Sequence, residues 1–522
     1  MATTDQVTGA WILVFLYMAV TLFFVIRGAL KIKNISDYAV GNIHFSPTAV
    51  ALSLAAGMTS AATFVINPGF IANYGISGVL SYGIIMPIAA ITSLAVLTKS
   101  FRKYGQLVKA LTLAQWIGER YHSKGYALLM GFLALLLETF IVLIAVAITM
   151  VLSKALNADP VYVLVAIVVF IFGYMMFGGA NSMVYTNAIQ ALIMLVVAII
   201  LLTSGYEHFR DGIMGMMQKL ADIDPVLVKA KNPSSPLFRD FYEIIIAQVV
   251  VGIAIVVQPH IITKSLLLKK ESEVNRFLIV AGTVQMLFFL VVIAGLYARL
   301  TFPDMKFNGM ALSNDTIIPT YVTYIFSNGK IAVIVGLVVV LGLISAGVST
   351  LEGLIQSLST TITSDIIKPL TGKWLKTDRS MILLNRMVII AIAVVTVLLS
   401  IQQIRSPKLS VGIFAQNGVY AYFASAFVPV IFGIYYKKMK RNVAMAGTII
   451  AFAVHFTVYY LLPFMVTNWS LNLGSFTKYM EGPVRNPAIA CSTAVIISTV
   501  SVLIMIAISK SMELKTETND ND

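Results

Sequence analysis

Polar interruptions divide the chain into thirteen apolar runs. They lie near residues 8–27, 47–74, 76–98, 126–152, 160–177, 181–204, 241–262, 277–299, 331–362, 381–402, 410–435, 443–464 and 487–508. About 20 apolar residues wound as a helix cross the hydrocarbon core of a bilayer. The pattern therefore predicts thirteen transmembrane helices, joined by connectors that begin or end on charges or on Gly, Pro and Asn. The first run follows Asp5 and no basic residue, so it lacks the positive leader of a signal peptide and reads as a retained helix.

Composition agrees. Of 522 residues, 58% are hydrophobic and 11% charged, and the mean hydropathy is +0.88. A soluble chain carries about 25% charged residues, so a soluble enzyme, a disordered regulator and a disulfide scaffold are all excluded. The single cysteine, Cys491, allows neither an intrachain disulfide nor a multi-thiolate metal site.

A net charge of +14 would suggest nucleic acid in a soluble protein, but here its distribution reads as topology. With the N-terminus outside, the inner connectors are 27–33, 99–124, 264–276, 363–380, 437–441 and the tail from 510. These hold 23 of the 37 Lys and Arg residues, whereas the outer segments hold 13, five of them in the long 205–240 loop. The bias predicts N-out and C-in, and an odd number of spans requires opposite ends. After Ile508 only 14 residues follow, so no fused sensor kinase or nucleotide-binding domain is expected. The partners this pattern implies are the lipid bilayer and a small solute, with no nucleic acid and no obligate protein partner.

Two spans are unlike lipid-facing helices. The second runs Ser53-Leu54-Ala55-Ala56-Gly57-Met58-Thr59-Ser60-Ala61-Ala62-Thr63-Phe64 and continues to Asn67-Pro68-Gly69. The ninth runs Ser345-Ala346-Gly347-Val348-Ser349-Thr350, then on through Glu352 and Gln356. Gly57 and Pro68-Gly69 weaken helix continuity, and irregular backbone at membrane depth needs protein or a water-filled cavity around it. Freed carbonyls beside two hydroxyls form a cage of neutral oxygens suited to Na+, a hard cation. Close packing through small residues is the other reading of the same composition.

Three further stretches carry a resemblance. Gly178-Gly179-Ala180-Asn181-Ser182-Met183-Val184-Tyr185-Thr186-Asn187-Ala188-Ile189-Gln190 resembles the signature of the sodium:solute symporter family, which includes the sodium/glucose and sodium/proline cotransporters. Gln258-Pro259-His260-Ile261-Ile262 is similar to that family's seventh helix. Phe427-Val428-Pro429 through Gly433 to Lys437-Lys438 is similar to the end of its eleventh. The resemblance implies an all-α integral membrane protein with a LeuT-type inverted repeat of five plus five helices, in which helices 2 and 7 are broken.

The implied organisation is an N-terminal peripheral helix and loop (1–45), a first repeat of spans 2–6 (46–204) and an extracellular loop (205–240). A second repeat of spans 7–11 (241–435), peripheral helices 12 and 13 (436–508) and a cytoplasmic tail (509–522) follow. By the same resemblance the coupling ion is Na+, held by the carbonyls of Ala56, Thr59 and Ala346 and the hydroxyls of Ser349 and Thr350. The solute would face Ala62, Thr63, Gln258, His260 and Gln416.

One departure bears on the ion. Family members usually carry an aspartate after the signature threonine, whereas Thr186 is followed here by Asn187. A carboxylate contributes roughly 4 kcal/mol at 4 Å for an effective dielectric of 20, which an amide cannot. Glu352, three residues from Ser349 and on the same helical face, is the candidate substitute. Glu138 in the fourth span and Arg386 at the start of the tenth read as structural, the first held by hydroxyl neighbours and the second snorkelling to the interface.

His260 stands where the sugar carriers have a gating tyrosine. Ser60-Ala61-Ala62-Thr63-Phe64 and Pro68-Gly69 with Tyr74-Gly75 look closest to the monocarboxylate and pantothenate branches. The proline branch's aspartate and tryptophan are replaced by Met58 and Ala62. The expected activity is Na+-coupled symport of a small carboxylate in a bacterial inner membrane. A proline-like amino acid, sialic acid, or H+ coupling given Asn187 are the alternatives. An intramembrane enzyme, a passive channel and a transporter-like sensor are disfavoured: no paired carboxylates, HExxH motif, charge ring or output domain is visible.

Overall fold

The computed structural model describes residues 4–519 except 42–43, 269, 372–376 and 407–408, with residues 512–519 described by backbone alone. Parts of four predicted segments lie outside the described residues: the N-terminal region (1–3 and 42–43), the 264–276 connector (269), the 363–380 connector (372–376) and the end of the tail (520–522).

Ten helices are long and apolar enough to cross a membrane, or twelve if two bent pairs each count as one span. In chain order the helices and arms are α1 (Thr4–Ala29), α2 (Pro47–Met58), α3 (Ala62–Tyr74), α4 (Ile76–Leu107), α5 (Lys124–Leu156) and α6 (Pro160–Thr203). Then come α7 (Tyr242–Ile255), α8 (Pro259–Leu267), α9 (Glu273–Thr301), α10 (Lys330–Thr371), α11 (Asp378–Arg405) and α12 (Val411–Tyr435). The last two are α13 (Arg441–Trp469) and α14 (Pro487–Asn519). The chain is an integral, multi-pass membrane protein.

The bent pairs are α2 with α3, at 53°, and α7 with α8, at 57°. Their local causes differ. At the second, Pro259 takes the first helical position of α8, and Gln258 before it is extended (φ −62°, ψ 137°), as a residue preceding proline prefers. At the first, no proline sits at the break. The helix starts on a Ser46-Pro47 cap, ends at Met58, leaves Thr59 extended and resumes as a π-helical turn over Ala62–Ile66. Such π turns recur at functional sites because they disturb the backbone ladder.

A straight helix of the 44 residues of α6 would be roughly 66 Å long, about twice the hydrocarbon core. It is interrupted at Gly179 (φ 57°, ψ −164°), a conformation that glycine adopts without a Cβ penalty and that packs the backbone against Tyr38. Two expectations shift in extent. The final helix continues beyond 508 to Asn519. The 205–240 connector is ordered, with an amphipathic helix at Gly212–Ile223 and 3-10 turns on either side.

The polar centre is built where α6 packs most extensively, against α10, α1 and α2, with α8 also lying against α10. At one end the short helix Leu113–Arg120 is pinned to the bundle. Thr112 and Gln115 donate to Asp365 at the end of α10 (2.6 and 2.8 Å), and Arg120 donates to the carbonyl of Gly433 on α12 (2.7 Å).

Candidate cation and solute sites

Because α2 stops at Met58, the carbonyls from Ala56 onward have no helical donor, the Thr59 N–H being spent on Ala55. Residues of α10 face them. Ser349 Oγ donates to the carbonyl of Ala56 (2.9 Å) and lies 3.2 Å from that of Ala346. Thr350 Oγ1 lies 3.2 Å from Ala346 O and 3.5 Å from Ala56 O. Four of the five residues predicted for the ion thus converge, all fully buried, as a set of neutral oxygens suited to a hard cation. Thr59 stands at the break itself, and its hydroxyl accepts from Gln285 Nε2 of α9 (2.6 Å). No contact joins its carbonyl to the hydroxyl pair among the described residues.

The two polar residues predicted beside the ion, Asn187 and Glu352, are fully buried. Glu352 Oε1 accepts from Tyr174 OH (2.5 Å), and Oε2 accepts from Thr186 Oγ1 (2.9 Å). The Asn187 amide fits with its nitrogen toward acceptors: Nδ2 then donates to Glu352 Oε2 (2.7 Å) and Gln190 Oε1 (3.0 Å), while Oδ1 accepts from Lys264 Nζ at 3.2 Å. The reverse orientation would set nitrogen against ammonium and oxygen against carboxylate.

Lys264 is the residue that the charge pattern missed. Counted as an inner-connector lysine, it is instead 3% exposed, on the second arm of the α7–α8 pair. Its Nζ donates to the carbonyl of Ser53 (2.5 Å) and to Ser53 Oγ (3.1 Å).

The predicted solute residues fall into two groups. Ala62 and Thr63 lie in the π turn after the first break, and Gln258 and His260 at the second. His260 packs on Gly353 of α10, its ring 6.2 Å from that of Phe140 on α5. Gln416, on α12, reaches Tyr82 OH of α4 at 3.5 Å. No hydrogen bond joins the two groups among the described residues.

Several of these polar atoms are buried without a protein partner: both ring nitrogens of His260 and the amide oxygens of Gln258 and Gln416. Ser81 Oγ on α4 and Gln248 Oε1 on α7, which packs against α4, are in the same state and were not picked out by sequence. Buried polar groups are nearly always satisfied, so such atoms in one bundle mark places for water or a ligand.

Glu138 and Arg386 take structural partners. Thr396 Oγ1 donates to Glu138 (2.7 Å), while Arg386 donates to the carbonyl of Met176 (3.2 Å) and stacks over Phe177.

The chain as a whole is similar to known proteins. The chain is 25% identical over 431 residues to the sodium/pantothenate symporter of Escherichia coli, covering 80% of this chain and 83% of that protein. It is 22% identical over 440 residues to the high-affinity proline transporter PutP of Bacillus subtilis, covering 81% and 86%. Among solved structures it superimposes on a Na+-coupled sialic acid symporter, captured in a substrate-bound outward-open state. The TM-score is 0.73 at 17% identity, over 95% of this chain and 98% of that one, a likeness of fold. Together these support Na+-coupled symport of a small solute. The model of the sodium:solute symporter family matches residues 38–451, and the chain belongs to that family.

Proposed function

We propose that the protein is a Na+-coupled symporter whose solute is a small carboxylate, of the monocarboxylate or pantothenate-like kind. The observation that carries the reading is the oxygen cluster between the end of α2 and α10, formed by Ala56, Ala346, Ser349 and Thr350. In the structure the two hydroxyls spend their hydrogens on carbonyls. A cation seated among the same oxygens replaces those hydrogen bonds and sets α10 at a new distance from α2. Ion binding and helix spacing are thereby linked, which is what a coupled carrier requires.

The solute would bind near the two breaks. There Gln258 and His260 hold unpartnered polar atoms, Gln416 holds another on α12, and the helix dipoles at the starts of α3 and α8 favour an anion. The pantothenate symporter named above and the local resemblance around Ser60–Phe64 support a carboxylate. In this reading the chain has thirteen spans, α6 counting as two either side of Gly179. Spans 2–6 and 7–11 (46–204 and 241–435) form the repeats, with the N-terminus outside and the C-terminus inside.

The test is transport into liposomes of labelled acetate, pyruvate, pantothenate, proline and sialic acid, under an inward Na+ gradient, an inward H+ gradient, or neither. Sodium-driven accumulation of a carboxylate is expected. Accumulation driven by protons alone, or confined to proline or sialic acid, would overturn the coupling ion or the solute class respectively.

A further inference from the structure

Resting on the sodium reading, one buried charge still lacks a role. The Lys264 ammonium has its three donors engaged by Ser53 O, Ser53 Oγ and Asn187 Oδ1. It also lies against Gly57, the residue after Ala56: a Cβ on Gly57 would stand 2.6 Å from Nζ. A cation is therefore already tethered one residue from the carbonyl at the centre of the candidate ion site. On its other side Asn187 links it to Glu352, whose carboxylate is fully buried three residues beyond Ser349.

We propose that Lys264 is a built-in cation that competes with sodium for the negative potential of Glu352, and so determines how much sodium the carrier needs. The argument is one of charge. Lys264 and Glu352 bring the buried cluster to neutrality, so an entering sodium makes it positive in a medium where charges are costly. Without the ammonium the cluster is negative, and sodium becomes its neutralising partner. This accounts for Asn187 as well: an amide can accept from Lys264 and donate to Glu352 at once, whereas a carboxylate there would repel Glu352. Lys264 does not touch the ion in this scheme. It acts through Asn187 and Gly57 as an affinity-setting residue.

The measurement is thermal stabilisation of detergent-purified protein by NaCl, titrated against choline chloride at constant ionic strength. Lys264→Gln should lower the half-saturating sodium concentration by about tenfold or more, and Glu352→Gln should raise it by a similar factor, as expected for a unit charge nearby. The direction is diagnostic, because a merely structural lysine would weaken sodium binding when lost. Lys264→Gln leaves Glu352 uncompensated and can fail to fold. The double variant Lys264→Gln/Glu352→Gln buries no charge, and compared with Glu352→Gln alone it must show the same fall.

Ser349→Ala/Thr350→Ala separates this proposal from the site it rests on. A sodium effect lost in that variant but unmoved or weakened by removing Lys264 overturns the proposal and leaves the site standing. A sodium effect that survives it overturns both.

Discussion

Ala56 carries the strongest residue-scale argument. Its carbonyl lies in the last turn of α2, so nothing in that helix claims it, and Ser349 supplies a hydroxyl from α10 at 2.9 Å. Hydrogen bonds to a charged group contribute about 1.5–3 kcal/mol. Removing both hydroxyls by Ser349→Ala/Thr350→Ala should thus raise half-saturating sodium for uptake about tenfold or more while leaving the protein folded. Unaltered sodium dependence in proteoliposomes would remove these side chains from the ion's path. The hydroxyl pair was legible through the family resemblance, since its composition alone was equally open to close helix packing. Lys264 was not. Basic residues flanking an apolar run are read as connector, and only three-dimensional packing shows that this one folds back beside Gly57.

At the scale of elements, the α7–α8 break was legible through the family resemblance, and the structure adds its local cause at Gln258-Pro259. The α2–α3 break was legible only as weakness, through Gly57 and the hydroxyl-rich run. Its position at Thr59–Ser60, well before Pro68, comes from packing. A third junction went unnoticed. Asp315, in the connector before α10, is influenced by the backbone of Val411 at the start of α12, where Ser410 makes no side-chain cap. Its Oδ1 is buried without a partner.

Burial pushes the Asp315 carboxyl up from 3.8 to about 6, although the nearby Val411 backbone pulls it down. An acid raised in the folded state contributes stability that is fully present below its unfolded pKa and is lost as pH rises through the folded one. The melting temperature should therefore fall between about pH 4 and 7 by the equivalent of about 1–2 kcal/mol, allowing for the screening of a half-buried group. Asp315→Asn should flatten that slope and gain stability at pH 7. Identical slopes in both proteins, followed by scanning fluorimetry in detergent, would show that Asp315 is not the source.

For the whole molecule, the membrane-spanning character of the apolar runs was the most legible feature, since bilayer thickness sets a length that composition alone can meet; ten to twelve helices answer to it. Helix packing was invisible to that reading, and so was the gathering of buried charge at one junction. In the proposed cycle that gathering bears on the energetics of transport. Lys264 and Glu352 neutralise each other inside the bundle, so in the proposed cycle the charge that crosses is the charge of the cargo. One sodium carried with one monocarboxylate sums to zero. Each uncompensated unit charge would draw about 2.3 kcal/mol from 100 mV, enough for a more than tenfold gradient. An inside-negative potential set by potassium and valinomycin should therefore leave initial sodium-driven uptake of a monocarboxylate unchanged, while a neutral solute on the same carrier would be accelerated. If the potential speeds carboxylate uptake, a second cation moves in each cycle, and it must be bound outside the Ala56–Ser349 cluster.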